Sequence, residues 1–230
     1  MNGFSLTLKQ RAEALWRSIL WHPFVQGIGK GTLPKDRYEF FLRQDYLYLI
    51  EFSRMFTVLA AKAVRLADMA YLAKLLDLTL NTEMDLHRKT CAELGISPES
   101  LEKTQPTLVT QAYTDFLVKT AYVEPLAGGL AALLPCAWGY VVIGKELKAG
   151  GVPQDPHYKA WIETYASKEF EEVTDWMRTR LDAFAVHAPE GEKALWHELF
   201  QTSSRYEWLF FEMAWTKETG WPKDQAPRKR

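Results

Sequence analysis

Two carboxylates interrupt the apolar faces of predicted helices and could take part in chemistry. Asp45 lies in RYEFFLRQDYLYLIEF and Glu207 lies in ELFQTSSRYEWLFFEMAW. Apolar residues spaced three and four apart put each carboxylate in the middle of an inward helix face. A buried carboxylate without a partner is costly, so each is expected to be paired, hydrogen-bonded or protonated. A structural hydrogen bond to a tyrosine or to another helix fits this spacing as well as a catalytic role does.

A cysteine follows a proline in the apolar run LLPCAWGYVVIG, residues 133–144. Pro135 cannot donate a hydrogen bond to the carbonyl of Ala131, so a kink is predicted just before Cys136. Tyr140 lies one turn beyond Cys136 on the same face. An ordinary thiol has a pKa of about 8.5, so a nucleophilic Cys136 needs a neighbouring donor or base that stabilises the thiolate. A small buried packing residue is the other interpretation.

The histidines form no recognised metal motif. Glu83 and His87 are one helical turn apart in NTEMDLHRK, whereas the Glu-x-x-His pairs of di-iron bundles and the His-Glu-x-x-His motif are absent from the sequence. A metal site is therefore not expected, and Glu83 and His87 are interpreted as a local pair or a polar patch near a pocket. The glycines of VQGIGKGTL have no preceding strand and no following Lys-Ser/Thr, so this segment is expected to be a plain turn.

The spacing of apolar residues predicts an all-α protein. Prolines and glycines divide the chain into long segments with an apolar period of about 3.6 residues, without a convincing strand. The predicted helices are Ser5–Trp21, Pro34–Ala63, Leu66–Leu94, Leu108–Tyr122, Leu126–Lys148, Pro156–Phe184 and Pro189–Lys217. We therefore expect a single-domain bundle of about seven helices over residues 1–230, with residues 222–230 as a flexible tail.

The composition excludes several function classes. Apolar residues make up 47% and charged residues 25% of the 230-residue chain, as in ordinary globular proteins. The net charge of −1 provides no basic field for nucleic acid or anionic lipid, and Arg228, Lys229 and Arg230 form a basic cluster only at the end. No secretory signal or apolar run of about 18 residues is recognised, and two cysteines fit a reducing compartment. We expect a cytoplasmic protein without nucleic-acid or membrane partners.

Six segments in register carry a resemblance to a known family. They are HPFVQGIGKGTLP, FLRQDYLYL, EMDLHR, LLPCAWGY, WIETY and SSRYEWLFFEMAW. In this order they resemble the TenA/thiaminase II family across nearly the whole chain. The resemblance implies a haem-oxygenase-like all-α fold, a homotetramer, and no metal or cofactor. It also implies hydrolysis of 4-amino-5-aminomethyl-2-methylpyrimidine to the hydroxymethyl compound and ammonia in thiamin salvage, with cleavage of thiamin into pyrimidine and thiazole as a side activity.

The functional residues of that family carry over onto positions of this chain. The nucleophilic cysteine falls on Cys136, the acidic proton donor on Glu207, and the carboxylate that holds the aminopyrimidine on Asp45. The tyrosine that raises the nucleophilicity of the cysteine falls on Tyr48. The substrate-binding aromatic residues fall on Tyr113, Tyr140, Tyr165 and Phe210. The resemblance thus implies that Cys136, Glu207 and Tyr48 are catalytic.

These residue types suit the reaction that the resemblance implies. As a hypothesis, the Cys136 thiolate adds to the electron-poor ring while Asp45 hydrogen-bonds its amidine-like edge. Glu207 protonates the departing amine and then activates water, and an apolar surround would raise its pKa toward that task. Tyrosines would stack on the flat ring. A kink at Pro135 would aim the thiol.

The chain departs from some family members after WIETY. ASKEF, residues 166–170, stands where those members have Gly-Gly-Asp-like residues. This difference concerns the pocket rim near Tyr165 and the breadth of substrates. Cys136 assigns the chain to the cysteine-containing branch, since a second branch uses glutamates instead.

The same bundle could serve two other functions. A non-catalytic pyrimidine-binding or regulatory protein is disfavoured by the near-neutral charge, the lack of a basic helix and the joint retention of Cys136, Asp45 and Glu207. A haem-binding protein is disfavoured because His22 precedes a helix-ending proline and His87 lies too late in the chain for the proximal ligand of that family.

Overall fold

The computed structural model describes residues 3–222, and this part of the chain is helical with no β-strand. It contains twelve α-helices and one π-helical segment. In chain order they are α1 (Phe4–Arg11), α2 (Glu13–Leu20), α3 (Pro23–Lys30), α4 (Lys35–Lys62), α5 (Leu66–Asp77), the π-helical segment (Leu78–Glu83), α6 (Met84–Glu93), α7 (Pro98–Glu102), α8 (Leu108–Val123), α9 (Leu126–Ala149), α10 (Pro156–Tyr165), α11 (Lys168–Ala185) and α12 (Glu190–Thr216). The predicted all-α class is confirmed. The predicted tail lies outside the described residues from position 223 onward.

Helix α9 is the centre of the core. It packs against α12, α11 and α10, and it also contacts α8, α3 and α4. An 18-residue window of α9 has a mean hydropathy of 1.8, so by length and composition this helix could cross a membrane, contrary to the expectation that no such run exists. Because 83% of that window is buried, its apolar surface is explained by packing inside the bundle.

Small residues let neighbouring helices approach α9 closely. A Cβ atom added at Gly144 would lie 2.7 Å from the backbone nitrogen of Ala166, just after α10. A Cβ atom at Gly129 would overlap the side chain of Leu59 from α4. Both α4 and α10 are therefore held within contact distance of the helix that carries Cys136.

The first predicted helix, Ser5–Trp21, is wrong as a single element. The backbone of Ala12 has φ −94° and ψ 3°, which separates α1 from α2. A helix of eight residues at each side of this break lets Leu8 and Trp16 both turn toward the core, where they are buried.

The segment after His22-Pro23, expected to be a plain turn, is helix α3. The His22 imidazole accepts a hydrogen bond from the Phe24 N–H at 3.2 Å, and Pro23 occupies the first helical turn. The helix ends at Gly31, whose φ of 68° is the left-handed conformation that favours glycine. The same two residues that end α2 therefore also start α3.

The expected number of about seven helices is too low, because a second predicted helix is divided and a third contains a π-helical segment. The π-helical segment lies inside the predicted helix Leu66–Leu94 and joins α5 to α6 without a break in the helical run. The predicted helix Pro156–Phe184 is divided because Ser167 caps α11, with its hydroxyl accepting a hydrogen bond from the Phe170 N–H at 3.2 Å. Helices α4, α8, α9 and α12 agree with their predicted bounds to within two residues.

Buried Gln44 attaches α4 to the start of α8. Its Oε1 accepts hydrogen bonds from the Thr107 N–H at 2.9 Å and from the Thr110 hydroxyl at 2.7 Å. Its Nε2 donates to the carbonyl of Gln105 at 3.1 Å. Both polar atoms of this buried amide are engaged. These hydrogen bonds hold the segment of α4 that carries Asp45 in a fixed position against the start of α8.

Gly144→Ala is expected to lower the free energy of unfolding by about 1–3 kcal/mol, because the added methyl group meets backbone atoms that cannot move without shifting α10. Gly139→Ala, in the same helix, is the matched control. Its added Cβ meets nothing within 4 Å, so it should be neutral or stabilising by up to about 1 kcal/mol. Urea denaturation of both variants measures the difference, and equal effects would contradict the close approach at Gly144.

Candidate active site

A cavity of about 440 Å³ opens between α4, the α5–α6 run, α9, α10 and α11. Seven of the ten predicted site residues line it: Asp45, Tyr48, Glu83, His87, Cys136, Tyr140 and Tyr165. The remaining three, Tyr113, Glu207 and Phe210, are buried outside the lining. The structure therefore brings the predicted residues together as a cavity wall with a second layer behind it.

The second layer is a set of aromatic and polar contacts around Glu207. The Tyr113 hydroxyl donates a hydrogen bond to Glu207 Oε1 at 2.5 Å and lies 3.0 Å from the Ser203 hydroxyl. The ring of Tyr48 contacts the rings of Tyr113 and Phe210 at centroid distances of 5.3 and 5.8 Å. Tyr48 thus separates this buried layer from the open cavity.

Glu207 holds its proton near neutral pH. Burial raises the pKa of its carboxyl to about 7, while the hydrogen bond from Tyr113 and the nearby Cys136 thiol act in the opposite direction. Its side chain is 5% exposed. A carboxyl with this pKa can both accept and release a proton at pH 7, which is what an acid/base group requires.

The Cys136 thiol lies on the cavity wall between Glu207 and Tyr48. Burial raises the pKa of the thiol well above its ordinary value, the negative charge of Glu207 raises it further, and the approach of Tyr48 lowers it. The buried Tyr48 hydroxyl has no hydrogen-bond partner of regular geometry among the described residues. This hydroxyl is therefore free to donate to a thiolate once the thiolate forms.

Asp45 faces the same cavity from α4 and is adjacent to a neutral histidine. His87 Nε2 lies 3.6 Å from Asp45 Oδ2, and His87 Nδ1 lies 3.7 Å from the Cys91 sulfur. Burial lowers the pKa of His87 to about 4, so the imidazole carries no charge at neutral pH. Burial and the charges of Glu83 and Glu207 raise the pKa of Asp45 well above its ordinary value. Asp45 is thus a candidate for a protonated hydrogen-bonding group.

Glu83 enters the cavity from the last residue of the π-helical segment. Burial raises the pKa of its carboxyl to about 7, and a hydrogen bond with Thr79 acts in the opposite direction. The wider turns of a π-helix change the direction in which side chains leave the helix. His87 and Glu83 do share the cavity wall, as predicted for a polar patch, and their functional roles stay a prediction.

Aromatic residues form the wall opposite α4. The Tyr140 and Tyr165 rings meet edge to face at 4.7 Å, and Trp161 contacts Tyr165 at the same distance. Burial raises the pKa of both tyrosines, so their hydroxyls stay protonated and can donate to a ligand. These faces and hydroxyls fit a flat heteroaromatic ligand.

Pro135 lies within α9, which continues as a helix on both sides of it. Together with Glu207 it borders a small void of about 10 Å³. The role of Pro135 in aiming the thiol stays a prediction.

Part of the cavity wall was not predicted from the sequence. Phe170, Val173 and Met177 line it from α11, and Ser167 and Glu169 line it from the segment that departs from some family members. In the sequence, only the helical spacing of Phe170, Val173 and Met177 could have indicated this part of the wall. The same spacing is typical of an ordinary core helix. In residues 3–222 no group of three or more histidine, cysteine or acidic side chains is arranged to hold a metal ion.

Comparisons with known proteins support the family indicated by the motifs. The sequence model of the TENA/THI-4/PQQC family matches residues 9–217. A protein from Halalkalibacterium halodurans named aminopyrimidine aminohydrolase is 43% identical over 216 residues, which is 94% of this chain and 96% of the relative.

Solved structures agree with this assignment. The TenA homologue from P. horikoshii OT3 superimposes with a TM-score of 0.88 at 32% identity, covering 94% of this chain and all of that chain. Haem oxygenase 2 from Chlamydomonas reinhardtii shares the fold alone, with a TM-score of 0.61 at 12% identity over 92% of this chain and 97% of that chain. The predicted haem-oxygenase-like fold is confirmed. Because the family model and a 43% identical relative both span almost the whole chain, the protein belongs to the TENA/THI-4/PQQC family.

Proposed function

We propose that the protein is an aminopyrimidine aminohydrolase of thiamin salvage. It converts 4-amino-5-aminomethyl-2-methylpyrimidine and water to the hydroxymethyl compound and ammonia, with hydrolysis of thiamin as a side activity of the same site. The observation that carries this proposal is the Cys136 thiol on a cavity wall, near both the Tyr48 hydroxyl and a carboxyl whose pKa is about 7. The likeness to relatives named aminopyrimidine aminohydrolase supports it.

Substrate recognition depends on Asp45. A protonated carboxyl can donate to a ring nitrogen of an aminopyrimidine while its carbonyl oxygen accepts from the neighbouring amino group. The raised pKa of Asp45 favours this form, and the adjacent His87 imidazole, 3.6 Å away, is neutral and so does not favour the ionised carboxylate. A hydrogen bond donated to the ring nitrogen withdraws electrons from the ring, which makes the ring more receptive to a nucleophile.

Formation of the nucleophile depends on Glu207. Because the Cys136 thiol lies near this carboxyl, the ionised carboxyl can take the proton of the thiol. The Tyr48 hydroxyl then stabilises the thiolate, which adds to a ring carbon. The electron pair of the ring passes toward the substituent, and the bond between the methylene carbon and the amine nitrogen breaks.

Glu207 completes the cycle with the proton that it received. This proton moves to the departing amine, which leaves Glu207 ionised and able to deprotonate a water molecule. The hydroxide adds to the methylene carbon, the sulfur leaves the ring, and the aromatic product forms. One group therefore serves as base, acid and base in turn, as its pKa of about 7 permits.

We also propose a homotetramer in the cytoplasm. Val64 and Leu66 are 99% and 79% exposed, and Tyr122 and Val123 are 66% and 65% exposed. The Lys62 ammonium donates a hydrogen bond to the carbonyl of Tyr122 at 2.6 Å, so the four apolar side chains lie near one another. An apolar surface of this kind fits contact with a second copy. The two free cysteines, Cys91 and Cys136, fit a reducing compartment.

Cys136→Ala is expected to reduce ammonia release from the aminopyrimidine at least about a thousandfold, because covalent addition becomes impossible. The control is Cys91→Ala, which removes the other free cysteine and should keep the rate within a few-fold of wild type. Enzyme-coupled ammonia detection measures both. A wild-type rate in the Cys136 variant would contradict the nucleophile, and no wild-type activity on aminopyrimidine or thiamin would favour a binding protein.

Glu207→Gln is expected to weaken the pH dependence of stability. The native carboxyl keeps its proton up to about pH 7, whereas the unfolded chain loses it near the ordinary value of 4.5. The native state therefore binds more protons between these values, and wild-type stability falls as pH rises through this window, by about 3 kcal/mol from this group. Thermal unfolding at pH 4.5, 6 and 8 measures this pH dependence of stability. Glu198→Gln, at an exposed position of the same helix, should retain the wild-type slope, and an equal slope in both variants would contradict the raised pKa of Glu207.

Light scattering after size-exclusion chromatography should give about four times the chain mass of 26.5 kDa. Tyr122→Glu should shift the protein toward smaller species, because a charge placed in an apolar contact must be desolvated. A wild-type mass equal to one chain would rule out the tetramer.

A further inference from the structure

The cavity continues beyond the predicted catalytic residues along α4. Asp45, Tyr48, Phe52 and Phe56 all line it, so from Asp45 the lined face of α4 continues for a further eleven residues, or about 16 Å at 1.5 Å per residue. The Tyr48 and Phe52 rings stack at 5.4 Å, and Phe52 meets Phe56 at 4.7 Å. Tyr48, next to Cys136, is therefore the last polar residue of this face before it becomes wholly apolar.

The wall formed by the α5–α6 run, which packs beside α4, changes character in the same direction. Helices α4 and α5 are joined by a loop of three residues, so the α5–α6 run returns antiparallel to α4. The distance of 3.6 Å between His87 and Asp45 sets the register of the two walls. Leu75, twelve residues before His87, then lies opposite the end of α4 that carries Phe56. The cavity thus has a polar end at Asp45 and an apolar end at Phe56.

We define the apolar annex as the end of the cavity lined by Phe52, Phe56, Leu75, Leu78, Val173 and Met177. The proposed aminopyrimidine is one ring with small substituents, which the polar end with Asp45, Tyr48 and Cys136 can hold. The whole cavity, at about 440 Å³, falls within the range of about 300–1,000 Å³ that accommodates drug-sized ligands. The annex therefore remains available when the ring is bound.

Contacts between α5 and α11 hold the walls of the annex in place. The annex-lining face of α5 continues from Leu75 to Tyr71 and Asp68. Tyr71 stacks on Trp176 of α11 with ring centroids 4.3 Å apart, and buried Asp68 accepts a hydrogen bond from Arg180 at 2.8 Å. A stacked pair and an ion pair between α5 and α11 fix the separation of these helices, so the annex is preformed.

The charge of the lining restricts what the annex can accept. Among the described residues the cavity is lined by the carboxyls Asp45, Glu83 and Glu169, and by no lysine or arginine. A phosphate group would find no lysine or arginine partner there and would lose its hydration without compensation. An apolar or aromatic group would replace water on the annex walls.

We propose that the apolar annex is a leaving-group subsite, and that the protein hydrolyses aminomethylpyrimidines whose exocyclic amine carries an uncharged apolar or aromatic substituent. This rests on the proposed function. The bond between the methylene carbon and the substituted nitrogen breaks, the nitrogen leaves as the amine with the proton from Glu207, and water supplies the hydroxyl group of the product. No oxidant or further reactant is required.

The test compares three substrates with the wild-type protein: the parent aminopyrimidine, its N-benzyl derivative and its N-(4-phosphonobenzyl) derivative. Chromatography of the released amine gives kcat/KM for each. The N-benzyl derivative should be hydrolysed, and the phosphonate should be at least about tenfold poorer. Hydrolysis of the parent without turnover of the N-benzyl derivative overturns the annex proposal and leaves the proposed function intact. Hydrolysis of none of the three overturns both, and equal rates for the two benzyl compounds overturn the charge restriction.

Val173→Phe tests whether the benzyl group occupies the annex. The larger side chain fills part of the annex, so the ratio of kcat/KM for the N-benzyl derivative to that for the parent should fall at least about tenfold. Val186→Phe makes the same change at a 69% exposed position just beyond α11 and should leave the ratio unchanged. An unchanged ratio in Val173→Phe, with the protein folded by circular dichroism, overturns the annex as the leaving-group subsite.

Discussion

Burial of ionisable groups around one thiol is the constraint on which the rest of the site depends. Asp45, Glu83 and Glu207 share a small region with Cys136, and removal from water raises the pKa of every one of them. Near neutral pH Asp45 and the Cys136 thiol therefore hold their protons, whereas Glu83 and Glu207 exchange theirs. A hydrogen bond from Tyr113 partly offsets this for Glu207, which keeps its pKa close to 7. This balance is what allows a single carboxyl to accept a proton from the thiol and pass it to a leaving group.

The bundle maintains this balance by bringing α4, α9 and α12 into close contact. The glycines of α9 allow helices to approach it that larger side chains would hold away, as at Gly144. Gln44 holds α4 against the start of α8. The hydroxyl of Ser204 in α12 accepts a hydrogen bond from the indole N–H of Trp16 in α2 at 3.0 Å. Water is excluded from the layer behind Tyr48 as a result, and the desolvation that raises the pKa values follows from that packing.

Much of the fold could be predicted from the sequence because helical periodicity is a local property. Helices α4, α8, α9 and α12 have nearly the bounds predicted, since each combines a long, largely apolar helical pattern with a proline or glycine near an end. The division at Ala12 and the cap at Ser167 were missed. Each interruption lies inside an apolar pattern that continues across it, and only packing against other helices makes the break favourable. Helix α3 was missed for a different reason, since its glycines are poor helix formers that buried contacts compensate.

The sequence by itself determined the helical class, the positions of Asp45 and Glu207 on inward faces, and the pairing of Pro135 with Cys136, because these depend on neighbours within a few turns. The motifs in register were specific enough to indicate the family. Only the tertiary structure decided that Tyr113 donates to Glu207 across 94 positions of chain, that Glu207 lies behind the cavity wall, and that the cavity extends to Phe56. A pKa and a cavity both depend on which distant segments exclude water from a point in space, and no local pattern encodes that exclusion.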